Sequence, residues 1–282
     1  MAKLAVLTDS TAYLPPKLIQ HHPIHVIPLR IHCEETTYWD GVDLTPDQFY
    51  TKLSNGCPVP TTSQPSVGEF LKAYRELAGS YSGVLVPVIS SGISGTVDSA
   101  LAAAEEIQDL DIEVIDSRIT SAGLALIVAA AARAIKEGAD LQDAAQLARR
   151  VADRMHTYFV VDTLEYLHKG GRIGGASRYF GTALQIKPIL TFDEHGRIDA
   201  LDRIRTKKKA LERLLELIQE GADGKPIHAG VVHAQAPEEA DQLRNLLEDR
   251  LDCLEVETYQ LSPVIGTHVG PGTLGIAMYP ED

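Results

Sequence analysis

The sequence predicts an α/β protein of two lobes, and three observations predict it. The first half alternates short apolar runs with helical patterns, which implies a mainly parallel, helix-covered sheet. Beyond residue 186 the order becomes strand, turn, strand before helices resume, which implies a mixed α+β sheet. A length of 282 residues suits one large domain or two. We place the boundary near residue 160, giving an N-terminal lobe at 1–160 and a C-terminal lobe at 161–282.

In chain order, residues 3–7, 24–29, 84–89 and 112–115 are apolar runs of buried-strand length. Helical patterns start at Pro15 and cover 67–77, 96–108 and 121–136. Residues 33–66 break this rhythm with a long excursion rich in turn formers, and such excursions tend to carry function. An amphipathic helix at 141–154 and a strand at 158–161 lead to the glycine-rich 170–175. Strands follow at 186–192 and 197–204, a helix at 207–219, a strand at 227–232, a helix at 238–250 and a strand at 254–259. The last glycine-rich segment, VIGTHVGPGTLG at 264–275, combines glycines with a hydroxyl and a histidine.

Composition narrows the function. Hydrophobic content of 44% and charged content of 23% are those of an ordinary globular protein. A net charge of −13 argues against nucleic acid or an anionic membrane as main partner. The start, MAKLAVLTDS, is too short for a signal peptide, and the longest apolar block, 122–132, falls well short of the ~20 residues of a membrane span. Cys33, Cys57 and Cys253 are far apart and odd in number, which suggests neither a disulfide framework nor a zinc site. A cytoplasmic protein that does not span the membrane is the expectation.

Catalytic and cofactor signatures are equally sparse. Gly270, Gly272 and Gly275 match G-x-G-x-x-G, but too little chain follows to open a helix inside a βαβ unit. No phosphate-loop motif and no G-x-S-x-G nucleophile elbow occur. His21, His22 and His25 flank Pro23, and His228 and His233 are five apart, so no metal-ligand pattern emerges. Neither a catalytic residue, a metal nor a cofactor is expected.

The segment 84–100, VLVPVISSGISGTVDSA, is the most informative. A strand, a Gly/Ser loop and a helix aim backbone N–H groups and a helix dipole at an anion. Ser90, Ser91 and Ser94 add donors without a lysine or a carboxylate, which suits holding an anion better than attacking one. Two other strand ends, Thr8-Asp9-Ser10-Thr11 and Asp116-Ser117, have similar chemistry, and each serves equally as a helix cap. His268 sits among glycines and small residues, either satisfied by backbone or close to a ligand. Arg203, Arg205, Lys207, Lys208, Lys209 and Arg213 gather six of the 26 basic residues, as a solvated helix face or as a patch for an acidic partner or a phosphate. Arg172 and Arg178 are companions on the second reading.

Seven segments in order resemble the DegV family over nearly the whole chain: TDST at 8–11, TTSQPS at 61–66, SSGISGT at 90–96, IDS at 115–117, FVVDTLEYLHKGGRI at 159–173, IKPIL at 186–190 and PVIGTHVGPGTLGIA at 263–277. Gly174-Gly175, where the family more often has a serine, is the main departure. The resemblance implies a long-chain fatty acid held in a tunnel at or beside the lobe junction, in a non-catalytic, lipid-binding subunit of bacterial fatty acid kinase. Such a subunit presents the carboxylate to a separate ATP-dependent kinase subunit for acyl phosphate formation, a step in phospholipid metabolism. By resemblance the carboxylate contacts fall on Thr62, Ser94, Gly95 and His268, and contacts to the kinase on Arg172, Arg203, Arg205 and Lys207. Some fourteen methylenes at ~0.8 kcal/mol each give roughly 11 kcal/mol before ordering costs, so the tail sets affinity and the head group orients. The alanine-rich stretch 122–134 is a candidate tunnel wall, or ordinary core. Two rivals remain: an enzyme acting on a small carboxylate or phosphate at the same loops, and a lipid-sensing regulator.

Overall fold

Strand β1 (Leu4–Asp9) is buried along its whole length, as an apolar run inside a helix-covered sheet must be. After α1 (Pro16–His21) comes β2 (Ile24–Ile27). The 33–66 excursion is built of four elements: β3 (Arg30–Cys33), β4 (Thr36–Trp39), α2 (Pro46–Ser54) and β5 (Thr61–Ser63). Next come α3 (Val67–Ala78), β6 (Gly83–Val88), α4 (Thr96–Ala104), β7 (Asp111–Asp116), α5 (Ser121–Lys136) and α6 (Leu141–Asp153). This computed structural model describes residues 3–181 and 186–281; the first two residues of the MAKLAVLTDS segment lie outside them.

The first sheet has the order β2-β1-β6-β7 with every pairing parallel, the layer predicted from alternating runs. Reciprocal capping boxes start the helices beside the excursion, Thr45 with Gln48 on α2 and Ser66 with Glu69 on α3. The excursion itself forms a small antiparallel sheet, β4-β3-β5, roofed by α2. Its strands are three or four residues long and rich in threonine, too short to show a period of two.

The second sheet follows: β8 (His156–Val160), then α7 (Glu165–Lys169), β9 (Lys187–Phe192), β10 (Ile198–Ile204), α8 (Lys207–Ala222), β11 (Ile227–His233), α9 (Pro237–Arg250), β12 (Cys253–Gln260), α10 (Pro263–Val269) and β13 (Leu274–Pro280). The order β10-β9-β8-β13-β11-β12 is mixed, with only β11 and β12 parallel. β8 thus pairs into the second sheet although it precedes residue 161. The glycine-rich 264–275, to which the sequence assigned no element, holds most of a helix and the start of a central strand. Ser262 caps α10 through the Ile265 N–H, and Gly270 ends it at φ +75°. Two turns of helix are too few for sequence periodicity to register. β13, buried at all seven positions, closes the sheet between β8 and β11.

Helix α5 lies between the sheets, packed on β1 and β6 from one and on β11 and β13 from the other. Its residues 121–132 are all buried, as a helix apolar all round should be. Alanine permits the close approach: a Cβ added at Gly230 of β11 would sit 2.7 Å from the Ala122 Cβ. Most of the alanine-rich stretch is therefore core between sheets.

One ion cluster pins α5 to the second sheet. Arg133 donates two hydrogen bonds of 2.7 Å to Glu255 on β12, and His228 on β11 lies between Glu255 (2.8 Å) and Glu281 (2.7 Å). Burial alone would raise the Glu255 carboxyl, but the His228 and Arg133 hydrogen bonds outweigh it and hold it at about 2, against an ordinary 4.5. The bond to Glu255 raises His228 above 6.5 against its own burial. A lowered carboxyl stabilises above its unfolded value and fails as pH falls; a raised imidazole stabilises below its unfolded value and fails as pH rises. The cluster therefore contributes most at about pH 5–6. Thermal melts of Glu255→Gln should show a deficit of about 1–2 kcal/mol there, shrinking toward about pH 3 and pH 9. A deficit independent of pH would contradict this account.

Candidate functional site

An apolar cavity runs between the first sheet's carboxyl edge and the second sheet, walled by Ile89, Ile93, Phe159, Phe192, Ile276 and Ala277. Of α5 only its first turn, Ser121 to Gly123, reaches this wall. Polar side chains gather along the lining: Thr62 and Gln64 from the β5 segment, Ser94 from the loop after β6, Arg172 from the turn after α7, and His268 from α10. Segments far apart in sequence supply them, and the excursion and α10 bring them together.

The serine loop is held from both sides. Asp9, at the end of β1, accepts bonds from the Ile89 N–H (2.6 Å), the Thr11 N–H (2.9 Å) and the Thr11 hydroxyl (2.6 Å). Asp116, at the end of β7, accepts from the Ser91 N–H (3.1 Å) and hydroxyl (2.5 Å). Ser90 donates to the Gly196 carbonyl at the β9–β10 turn (2.8 Å), and any Cβ at Gly92 would strike that turn's backbone. Ser90 and Ser91 are thus consumed by structure. Ser94 remains at the cavity, its hydroxyl 2.9 Å from that of Thr96 in the first turn of α4. Gly95 is the N-cap of α4 and is covered by the Gln64 amide, whose nitrogen a Cβ would approach to 2.6 Å.

Asp40 ties the excursion to α10. It accepts from the Ser10 hydroxyl (2.7 Å) and from the Val264 N–H (3.3 Å), and its complete burial pushes it up to about 7 against those bonds and one from Ser262. Gly266 allows α2 to pack against α10, since a Cβ there would meet the Phe49 ring at 2.9 Å. This packing brings His268 Nε2 to 2.8 Å from Thr62 Oγ1 on β5, across 206 residues of sequence.

His268 Nδ1 is buried without a partner, and the Gly170 backbone closes over it. A buried N–H left unpaired costs more than a buried lone pair, so we assign the proton to Nε2, donating to Thr62. The Thr62 hydroxyl hydrogen is then available to a ligand. Burial, and secondly the Arg172 charge, lowers His268 from 6.5 to about 4, so the imidazole is neutral at pH 7. Arg172 donates to the Ile93 carbonyl (3.2 Å) and the Gly170 carbonyl (2.7 Å), bracing the serine loop against the glycine turn.

The structure brings Thr62, Ser94 and His268 to one cavity and puts Gly95 just behind Ser94. Arg172, expected as a docking residue, is half-buried in the cavity lining. Arg203 and Arg205 are exposed on and just beyond the edge strand β10, while Lys207 is paired with Glu239 (2.9 Å) and Arg213 with Asp202, Glu216 and Glu220. Arg178 pairs with Asp199 at 2.8 Å. Sequence reasoning missed Asp40 and the inward place of Arg172; the only available signal was Arg172 following two glycines. Among the described residues no helix is long and apolar enough to cross a membrane.

Comparison with known proteins adds three findings. The family model described as an uncharacterised protein of the DegV family matches residues 3–281. Protein DegV of Bacillus subtilis is 39% identical over 275 residues, covering 97% of this chain and 98% of that protein. Two solved structures are similar throughout: a fatty-acid-binding DegV family protein from Thermus thermophilus (TM-score 0.93, 36% identity, covering 99% of this chain and 100% of that one) and the fatty-acid-binding DegV of Bacillus subtilis (TM-score 0.91, 38% identity, both chains fully covered).

The imidazole should titrate at about 4 in ligand-free protein when followed by nitrogen NMR. Arg172→Gln removes the smaller of the two causes and should move it upward, still short of 6.5. No movement would remove Arg172 from the electrostatics of the site.

Proposed function

This chain belongs to the DegV family, and on that premise we propose that it binds a long-chain fatty acid in the cavity, with the carboxylate at Thr62, Ser94 and His268. The observation that carries the reading is an apolar cavity with hydroxyl, imidazole and guanidinium donors gathered in its lining. Relatives from Thermus thermophilus and Bacillus subtilis that bind fatty acids support it.

In this reading the tail fills the apolar wall and the head group accepts from Thr62, from Ser94 and from the amides that open α4, Gly95 marking their start. Arg172 supplies the nearby positive charge. A bound carboxylate favours the imidazolium, so loading raises the His268 value and brings a proton to the site. The protein does no chemistry alone; it presents the carboxylate to a separate ATP-dependent kinase subunit, which forms the acyl phosphate. The exposed Arg203 and Arg205 are the docking residues for that partner, with Lys207 beside them.

Lipid extracted from the purified protein and identified by mass spectrometry tests the ligand class, and recovery of no fatty acid would count against it. Binding to delipidated protein should strengthen about fourfold per added methylene until the cavity is full. Thr62→Ala and His268→Ala should weaken every chain length by a common factor of about tenfold or less. An affinity indifferent to chain length would refute the division between tail and head. Purified protein with ATP and oleate should give no turnover, and Arg205→Glu should slow partner-dependent transfer while leaving lipid binding intact.

A further inference from the structure

Two of the three cysteines, separated by 24 residues, meet in the fold. The Sγ atoms of Cys33, at the end of β3, and Cys57, beyond the end of α2, lie 2.6 Å apart. Both are free thiols, Cys33 buried and Cys57 part-exposed. Their surroundings are the apolar side chains of Ile31, Leu44, Phe49, Leu53 and Pro60, with Lys52 at the edge. Cys253 is on β12 in the other sheet, its sulfur directed at the Leu247 carbonyl. The sequence suggested no disulfide because the spacing exposes no framework; the α2 turn creates the proximity, through the Cys57 N–H donating to the Lys52 carbonyl at 3.1 Å.

We propose that Cys33 and Cys57 are a reversible dithiol–disulfide pair, closed by hydrogen peroxide or by exchange with a low-molecular-weight disulfide. Cys57, the more accessible sulfur, meets the oxidant. Burial, then the hydrogen bond with Cys57, raises Cys33 to about 11, so Cys33 waits as a thiol and resolves the second step. With peroxide, the Cys57 thiolate breaks the O–O bond, giving the sulfenic acid and, after proton uptake, one water. The Cys33 sulfur then attacks the Cys57 sulfur, the S–O bond breaks, and the hydroxyl leaves with the Cys33 proton as a second water. Two thiols and one peroxide thus become one disulfide and two waters. With a small disulfide, Cys57 forms the mixed disulfide and releases one thiol, and Cys33 displaces the other. A dithiol reductant reverses either route.

The bond would close the β3–α2 loop behind the ligand site. β3 pairs Ile31 with Thr62, and α2 packs on α10, which carries His268. The pair therefore lies in the scaffold that holds the Thr62–His268 contact, outside the cavity lining.

The test treats the reduced full-length protein with hydrogen peroxide or with oxidised glutathione, then maps peptides by mass spectrometry under non-reducing conditions. The expected product links the peptides of Cys33 and Cys57, lacks two hydrogens and leaves Cys253 titratable, so denatured thiols fall from three to one. Dithiothreitol should restore all three, and Cys253→Ser should form the same link. Cys33→Ala should stop Cys57 at the sulfenic acid or the mixed glutathione disulfide. Persistence of three thiols in the wild type would overturn the proposal, as would a link through Cys253 or a Cys57 adduct that Cys33 never resolves.

Discussion

The hydrogen bond between Thr62 and His268 is the contact on which the site depends. It joins residues 206 apart and forms only when the excursion, which carries Thr62, and α10, which carries His268, are both in place. The excursion brings Thr62 on β5; Asp40 and the Phe49–Gly266 contact seat α10; Gly170 closes the far side of the ring. Each of these is a tertiary constraint, and together they desolvate an imidazole until it is neutral at pH 7. With the ring neutral, the Arg172 guanidinium is left as a positive charge in the cavity lining.

Charge is sorted with equal care. The carboxylates nearest the serine loop, Asp9 and Asp116, stand behind it, each taken up by N–H and O–H donors of the loop and its neighbours. The lining in front is left to hydroxyls, an amide, an imidazole and a guanidinium. The acids that rigidify the loop are spent on N–H and O–H donors, and no carboxylate is among the cavity's described lining residues. For an acyl chain bound as proposed, the apolar wall would supply a driving force proportional to the length it covers, which the polar groups cannot match.

Much of this was legible in the sequence, and the parts that were not share a cause. The first sheet could be read because buried parallel strands are continuous apolar runs, as in β1 and β6. Thr62, Ser94 and His268 stood out because short hydroxyl, glycine and histidine clusters recur in a recognisable order. The excursion's sheet, α10 and β13 escaped, since strands of three residues and a helix of seven carry no period, and glycines masked a central strand. Arg172 and the Cys33–Cys57 pair escaped for a different reason. Their roles arise from what packs beside them, and neither Ile93 above Arg172 nor the chain reversal after α2 can be inferred from spacing. The TDST and IDS segments were visible, but local sequence could not tell that their carboxylates would buttress the serine loop.

The most direct test is carbon NMR of palmitate labelled at its carboxyl carbon and bound to the delipidated protein. If the head group sits at Thr62, Ser94 and His268, its resonance will move on Thr62→Ala and on His268→Ala. It will stay ionised to a lower pH than the free acid, and His268 will titrate above its ligand-free value of about 4. A carboxyl resonance that titrates as in solvent and ignores both substitutions would contradict the account.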